Sequence, residues 1–167
     1  NKPIIALLPG SRKQEVQKML SLMLSLTNDF SEYEFVIAGA PSLDKEFYAA
    51  FLTNANVKFI QNKTYDLLSI SNAALVTSGT ATLETALFKV PLEYISLVNL
   101  IMKKEVVKEL IQDDFTKQNL KKELTLILDG EARRKQLADY DELIVKLGGS
   151  GASAEAASLI IANAKIS

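Results

Sequence analysis

Cysteine and histidine are both absent from this chain of 167 residues. Without cysteine there is no disulfide, no thiolate zinc site and no thiol nucleophile. Without histidine the commonest metal ligand and the usual general base near neutral pH are gone as well. Acid–base chemistry falls to carboxylates, lysine or tyrosine, or to another chain or domain. Charge of one sign is also lacking: 19 basic against 20 acidic residues leave a formal net charge of −1. Nucleic-acid binding would need a clustered basic excess, so it is not expected. No run approaches the roughly 18 apolar residues of a membrane span, and Leu20–Leu26 is broken by Ser21 and Ser25. No signal peptide is visible. The chain opens on Asn1 rather than methionine and reads as a piece of a longer protein.

What is present is an ordinary globular composition, 48% hydrophobic and 23% charged, of a size that suits one domain over 1–167. Four short apolar runs predict strands: Ile4–Leu8, Glu34–Ala38, Val57–Ile60 and Ala73–Thr77. Helical patterns separate them. Val16, Met19, Leu20, Leu22, Met23 and Leu26 mark a helix between Gln14 and Asn28. A short one carries Phe47, Phe51 and Leu52 with Ser42 as its expected cap, Thr64 is the expected cap of Tyr65–Ile70, and Thr80–Phe88 follows the fourth strand. Strands alternating with helices predict an α/β doubly wound, mainly parallel sheet with helices on both faces. The remainder reads as helical: Glu105–Gln112, Lys117–Leu128 capped by Thr116, Glu131–Leu147 after Gly130, and Ser153–Ala164 after the glycine turn Gly148–Gly151. Tyr33, Phe35, Phe47 and Phe51 read as core, and Lys103-Lys104 as a solvated pair.

Ligands of open parallel sheets bind beyond the carboxyl ends of the strands, and two strand–helix junctions there carry suitable chemistry. Leu8-Pro9-Gly10-Ser11-Arg12 offers close backbone approach, a hydroxyl and a guanidinium fork for phosphate. Thr77-Ser78-Gly79-Thr80-Ala81-Thr82 sets hydroxyls and a glycine at a helix N-terminus, whose free N–H groups favour an anion. Either junction alone is first of all a turn and a cap. Two on one sheet edge, one with an arginine, favour a phosphate ligand. Neither fits the Walker or the Gly-x-Gly-x-x-Gly pattern. Glu84, close behind the second junction, suits either sugar hydroxyls or a helix-start charge, and the residues alone leave both readings open.

Leu8–Arg12 with Glu15, Ser78–Glu84, Tyr94–Ile101 and Glu105–Gln112, in that order, resemble the C-terminal donor domain of the lipid-A-disaccharide synthase family. The resemblance implies the C-terminal, Rossmann-like half of a GT-B glycosyltransferase. Such enzymes transfer 2,3-diacylglucosamine from its UDP derivative to 2,3-diacylglucosamine 1-phosphate. It further implies that Gly10, Ser11, Arg12 and the turn Ser78, Gly79, Thr80, Ala81 and Thr82 meet the diphosphate, with Arg12 stabilising the leaving group. Glu84 would take the ribose, Phe59–Thr64 would pass the uracil, and Asn99, Glu105, Glu109 and Gln112 would lie near the donor sugar. No metal and no cofactor are implied, and the sequence has no Asp-x-Asp motif. Intact members act at the cytoplasmic face of the inner membrane, as peripheral proteins.

The sequence departs from the family in places. A segment with a strand and a helix is expected between Pro91 and Tyr94, where only Leu92 and Glu93 stand. Val98 replaces a more usual proline. The N-terminal half, with the acceptor site and the carboxylate base, is not in this sequence, so the chain alone is expected to be inactive. Two other readings are a UDP-sugar epimerase of similar fold, which the lack of histidine disfavours, and a non-catalytic nucleotide- or phosphate-binding module.

Overall fold

Three of the four apolar runs are almost wholly buried, as parallel strands under helical layers must be, while the third stands at the sheet edge with Lys58 exposed. The computed structural model describes residues 2–52, 56–77, 79–93, 97–110 and 114–148. Its strands are β1 (Ile4–Leu8), β2 (Glu34–Gly39), β3 (Val57–Gln61), β4 (Ala73–Val76) and β5 (Leu92–Glu93). They form one sheet in the order β3-β2-β1-β4-β5. Every pairing is parallel; Leu7 lies opposite Ile37 on one side and Leu75 on the other. The helices are α1 (Lys13–Leu24), α2 (Lys45–Ala49), α3 (Thr64–Ile70), α4 (Gly79–Leu87), α5 (Leu97–Met102), α6 (Lys117–Leu128) and α7 (Gly130–Lys146). None of the described helices is long and apolar enough to cross a membrane.

Strand periodicity divides the core in two. Ile5 and Leu7 of β1 point to one face and pack with Leu20 and Met23 of α1, Tyr48 of α2 and Leu124 of α6. Ala6 and Leu8 point to the other and meet Leu67 of α3, Ala86 of α4, Met102 of α5 and Leu143 of α7. Alternation along one strand thus feeds two separate cores. The fold is the doubly wound α/β class, with helices on both faces.

Several local expectations are corrected. α1 stops at Leu24, short of Asn28, because Ser25 Oγ donates to Leu22 O at 2.6 Å and Thr27 Oγ1 to Leu24 O at 2.9 Å. These hydroxyls compete for carbonyls that a continuing helix would use. Ser42 does not cap α2, whose N-cap position is Asp44. The Ser42 hydroxyl instead donates to Ser11 O at 3.2 Å. Thr64 is the first residue of α3 rather than its cap.

The region from Glu105 onward is irregular rather than helical through Leu110. Asn99 Oδ1 accepts from Val106 N and Val107 N at 2.8 Å, and its Nδ2 donates at 2.7 Å to Val107 O, a carbonyl that a continuing helix would use. α5 and the two-residue β5, neither expected, fill the space beside β4, with Leu92 opposite Ala74. The cap of α6 follows expectation, Thr116 Oγ1 accepting from Asn119 N, whereas α7 begins at Gly130 itself, with the unexpected Asp129 before it accepting from Gly130 N through Oδ1. Ile111–Asp113, the glycine turn beyond Gly148 and the Ser153–Ala164 helix lie outside the described residues.

Candidate functional site at the sheet switch point

From β1 the chain winds outward through β2 to β3, then crosses back to β4 on the other side of β1. The crossovers therefore diverge between β1 and β4, and the crevice at their carboxyl ends is the topological switch point of the sheet. Thr77 N donates to Leu8 O at 3.0 Å, and Thr77 Oγ1 to the same oxygen at 3.3 Å. Gly10 turns there with φ +93, and a Cβ on it would sit 3.2 Å from Thr77 Oγ1. Both the left-handed backbone and this contact call for glycine. The two junctions singled out in the sequence are thus adjacent.

A hollow of about 180 Å³ opens between them. Gly10 and Ser11 line one side, Ala81 and Glu84 of α4 the other, with Thr64 and the 38–41 turn closing it. That turn and the two residues after it are braced from three directions. Ala40 N donates to the buried Tyr48 Oη at 3.0 Å, Gln61 Nε2 donates to Leu43 O at 3.0 Å, and Ser42 reaches Ser11 O. A Cβ at Gly39 would come within 2.5 Å of the Phe59 ring, so only glycine lets β2 and β3 close at this point.

Glu84 belongs to a second hollow too, of about 320 Å³, formed by Asn62, Lys63, Thr64, Tyr65 and Asp66 at the end of β3. Asn62 turns this loop with φ 59, a left-handed conformation that asparagine tolerates. Glu84 Oε1 accepts a hydrogen bond from Tyr65 Oη at 2.9 Å. The Tyr65 ring stacks on Phe88 at 5.5 Å with an interplanar angle of 16°. The carboxylate beside it pushes the Tyr65 phenol above its ordinary pKa, chiefly through that hydrogen bond.

The other candidates are distributed as follows. Arg12 stands at the start of α1, its side chain 83% exposed and paired with Glu15 at 2.9 Å. Gly79 and Thr80 form the first turn of α4, while Ser78 lies outside the described residues. Thr82 is fully buried. Asn99, Glu105 and Glu109 line neither hollow. Asn99 Nδ2 donates to Val107 O at 2.7 Å and to Glu109 Oε1 at 2.9 Å, so the Asn99 amide makes four bonds to its own chain. Glu105 pairs with Lys108 at 3.1 Å beside a different hollow, next to α6 and α7. Gln112 lies outside the described residues.

The family model described as lipid-A-disaccharide synthetase matches residues 1–92 and 90–162. This chain belongs to the lipid-A-disaccharide synthase family. The match comes in two pieces that meet where the sequence reading expects an additional segment. A lipid-A-disaccharide synthase of Syntrophus aciditrophicus is 35% identical over 92% of this chain and 47% of its own length. One from Coxiella burnetii is 32% identical over 82% of this chain and 43% of its own length. The chain thus spans about half the length of these family members. Among solved structures, a calicheamicin glycosyltransferase superposes with TM-score 0.70 at 18% identity, over 95% of this chain and 42% of that one. A UDP-GlcNAc 2-epimerase of Neisseria meningitidis, solved with UDP-GlcNAc, gives TM-score 0.62 at 17% identity over 88% and 44%. At such identities the likeness is one of fold, the GT-B half shared by glycosyltransferases and these epimerases.

The turn glycine Gly10, its neighbour Ser11, Ala81 and Glu84 were all legible from the junction motifs, and the structure brings them together. Tyr65 was not. Its position one residue after Thr64, on the rim of the same sheet edge, is a signal only once the strand order is known.

Proposed function

We propose that the switch-point crevice binds the diphosphate and ribose of a UDP-sugar. In this reading the chain, over 1–167, is the donor half of an enzyme that transfers 2,3-diacylglucosamine from its UDP derivative to 2,3-diacylglucosamine 1-phosphate. The acceptor lipid and the catalytic base belong to an N-terminal domain, and the intact enzyme works at the cytoplasmic face of the inner membrane. One observation carries the reading: Glu84 is shared by the hollow between the two junctions and the hollow at the end of β3. A carboxylate there is unfavourable to a bare anion, yet it stands where a ribose would link a diphosphate on one side to a base on the other. Family membership supports the choice of ligand.

The chemistry required of this half is electrostatic. As the glycosidic bond breaks, negative charge gathers on the diphosphate, and preorganised donors stabilise it. The free N–H groups and dipole at the start of α4 supply one set. Arg12 supplies the other; its pair with Glu15 is exposed and weak, so a phosphate can displace it. Ser11 and the start of α4 complete the cradle, with Ser78 assigned to it by the family resemblance; Thr82, fully buried, is not exposed to a ligand, which corrects its place in the expected diphosphate turn. Asn99, Glu105, Glu109 and Gln112 are assigned to the surroundings of the donor sugar, Asn99 by shaping the 106–109 segment rather than by direct contact. No step calls for a metal or cofactor.

Calorimetry of the chain with UDP, uridine and pyrophosphate tests the reading. UDP should bind more tightly than either part, and no disaccharide should form from donor and acceptor. Pyrophosphate binding as tight as UDP would reduce the crevice to a generic anion site.

A further inference from the structure

We propose that Tyr65 is a positioning residue that holds the Glu84 carboxylate ready for a ribose diol. The inference rests on the ribose reading of Glu84 and adds a residue to it. Tyr65 is 55% exposed and Phe88 40%, yet their rings stack, so the tyrosine is held at the surface by a specific contact. Glu84 and Phe88 are four residues apart, which places them one above the other on one side of α4 and its end. Tyr65 touches both, with its ring on Phe88 and its hydroxyl on Glu84 Oε1. Contact at two points fixes the phenol, and the phenol in turn fixes the carboxylate.

A free glutamate on a helix surface samples several rotamers, and ordering it on binding weakens affinity. Here that ordering is already done. A carboxylate accepts up to four hydrogen bonds; the phenol takes one and leaves the others for a vicinal diol. A phenol is protonated around neutral pH in any case, and the carboxylate raises its pKa further, so the hydroxyl acts there as a donor.

The test compares UDP with its 2′,3′-dideoxy analogue in the unmodified chain, Tyr65→Phe, Glu84→Gln and the double variant. Tyr65→Phe keeps the ring and its stack, so the fold is preserved. It should weaken UDP about 3- to 10-fold, the loss expected from freeing one ordered side chain. It should leave the dideoxy analogue unchanged and have little further effect once Glu84 is glutamine. Equal losses for both ligands would overturn the proposal in favour of a general disturbance of the rim. Unchanged or tighter UDP binding would overturn it too, the latter making the phenol a competitor for the diol. If Glu84→Gln weakens UDP selectively while Tyr65→Phe is silent, the positioning role falls and the ribose reading stands. If Glu84→Gln treats both ligands alike, the ribose reading itself falls.

Discussion

Glu84 and Asn99 are both half-buried polar side chains in stretches that carry the family resemblance, but their hydrogen bonds go to different places. Asn99 spends four bonds on its own chain, gripping Val106, Val107 and Glu109. Glu84 takes one bond from Tyr65 among the described residues and faces two hollows. A polar side chain whose bonds all go to neighbouring groups of its own chain organises the fold, whereas one with acceptor capacity turned to an opening is placed to meet a ligand. Motif position does not separate the two; hydrogen-bond bookkeeping does.

The largest expected effect falls on the saturated side. Asn99→Ala should destabilise the chain by about 2–4 kcal/mol, because the Val106 and Val107 amides lose their acceptor beside buried side chains. Denaturant titration would show it, and the affinity for uridine should stay the same. A weakened uridine affinity with full stability would erase the contrast.

Arg12→Ala comes next, on the ligand side. It should weaken UDP by about 1.5–3 kcal/mol, the range of charged hydrogen bonds, and leave uridine and the melting temperature nearly unchanged. Equal losses for UDP and uridine would point to a collapsed turn.

Glu84→Gln sharpens the comparison further. UDP and uridine should both weaken by about 1–2 kcal/mol, while pyrophosphate should bind the same or slightly tighter, measured by calorimetry at fixed salt. If pyrophosphate alone responds, Glu84 acts only as a helix-start charge.

The smallest effect concerns pH. Asp29, in the turns after α1, pairs with Lys117 at 2.8 Å and Lys121 at 2.6 Å on α6. Hydrogen bonds from these lysines hold its carboxyl below the ordinary value of 3.8. The stabilisation is therefore present above that value and fades as pH falls through the lower folded-state pKa. Asp29→Asn should flatten the acid limb of the stability profile without altering ligand affinity at any pH; an unchanged acid limb would mean the pair contributes nothing.

How far the sequence could be read depended on whether a signal was local. β1 was plain because a strand buried on both faces shows an unbroken apolar run, and Thr116 because a cap lies within a few residues of what it caps. β5 has two residues and no pattern of its own. Val106, Val107 and Leu110 are buried as their spacing implied, but Asn99 holds the segment irregular, and a contact across seven residues leaves no periodic trace. Ser42 and Thr64 have the chemistry of caps; Ser42 is drawn instead to Ser11. At the site, the junction glycine and Glu84 were legible because turn chemistry is local. The Tyr65–Glu84 bond joins residues 19 apart, and only the strand order brings them together.

The contact of Thr77 with Leu8 and Gly10 has a bearing on folding as well. It joins positions 69 residues apart, across the seam between the two inner strands where the chain reverses its direction of winding. Closing so long a loop is entropically costly, a cost that the pairing of β2 and β3 within it reduces. On the proposed reading, a nucleotide seated across the seam binds only the closed form. Its binding free energy therefore adds to the stability of the whole sheet, by about 2.7 kcal/mol when the ligand stands at 100 times its dissociation constant.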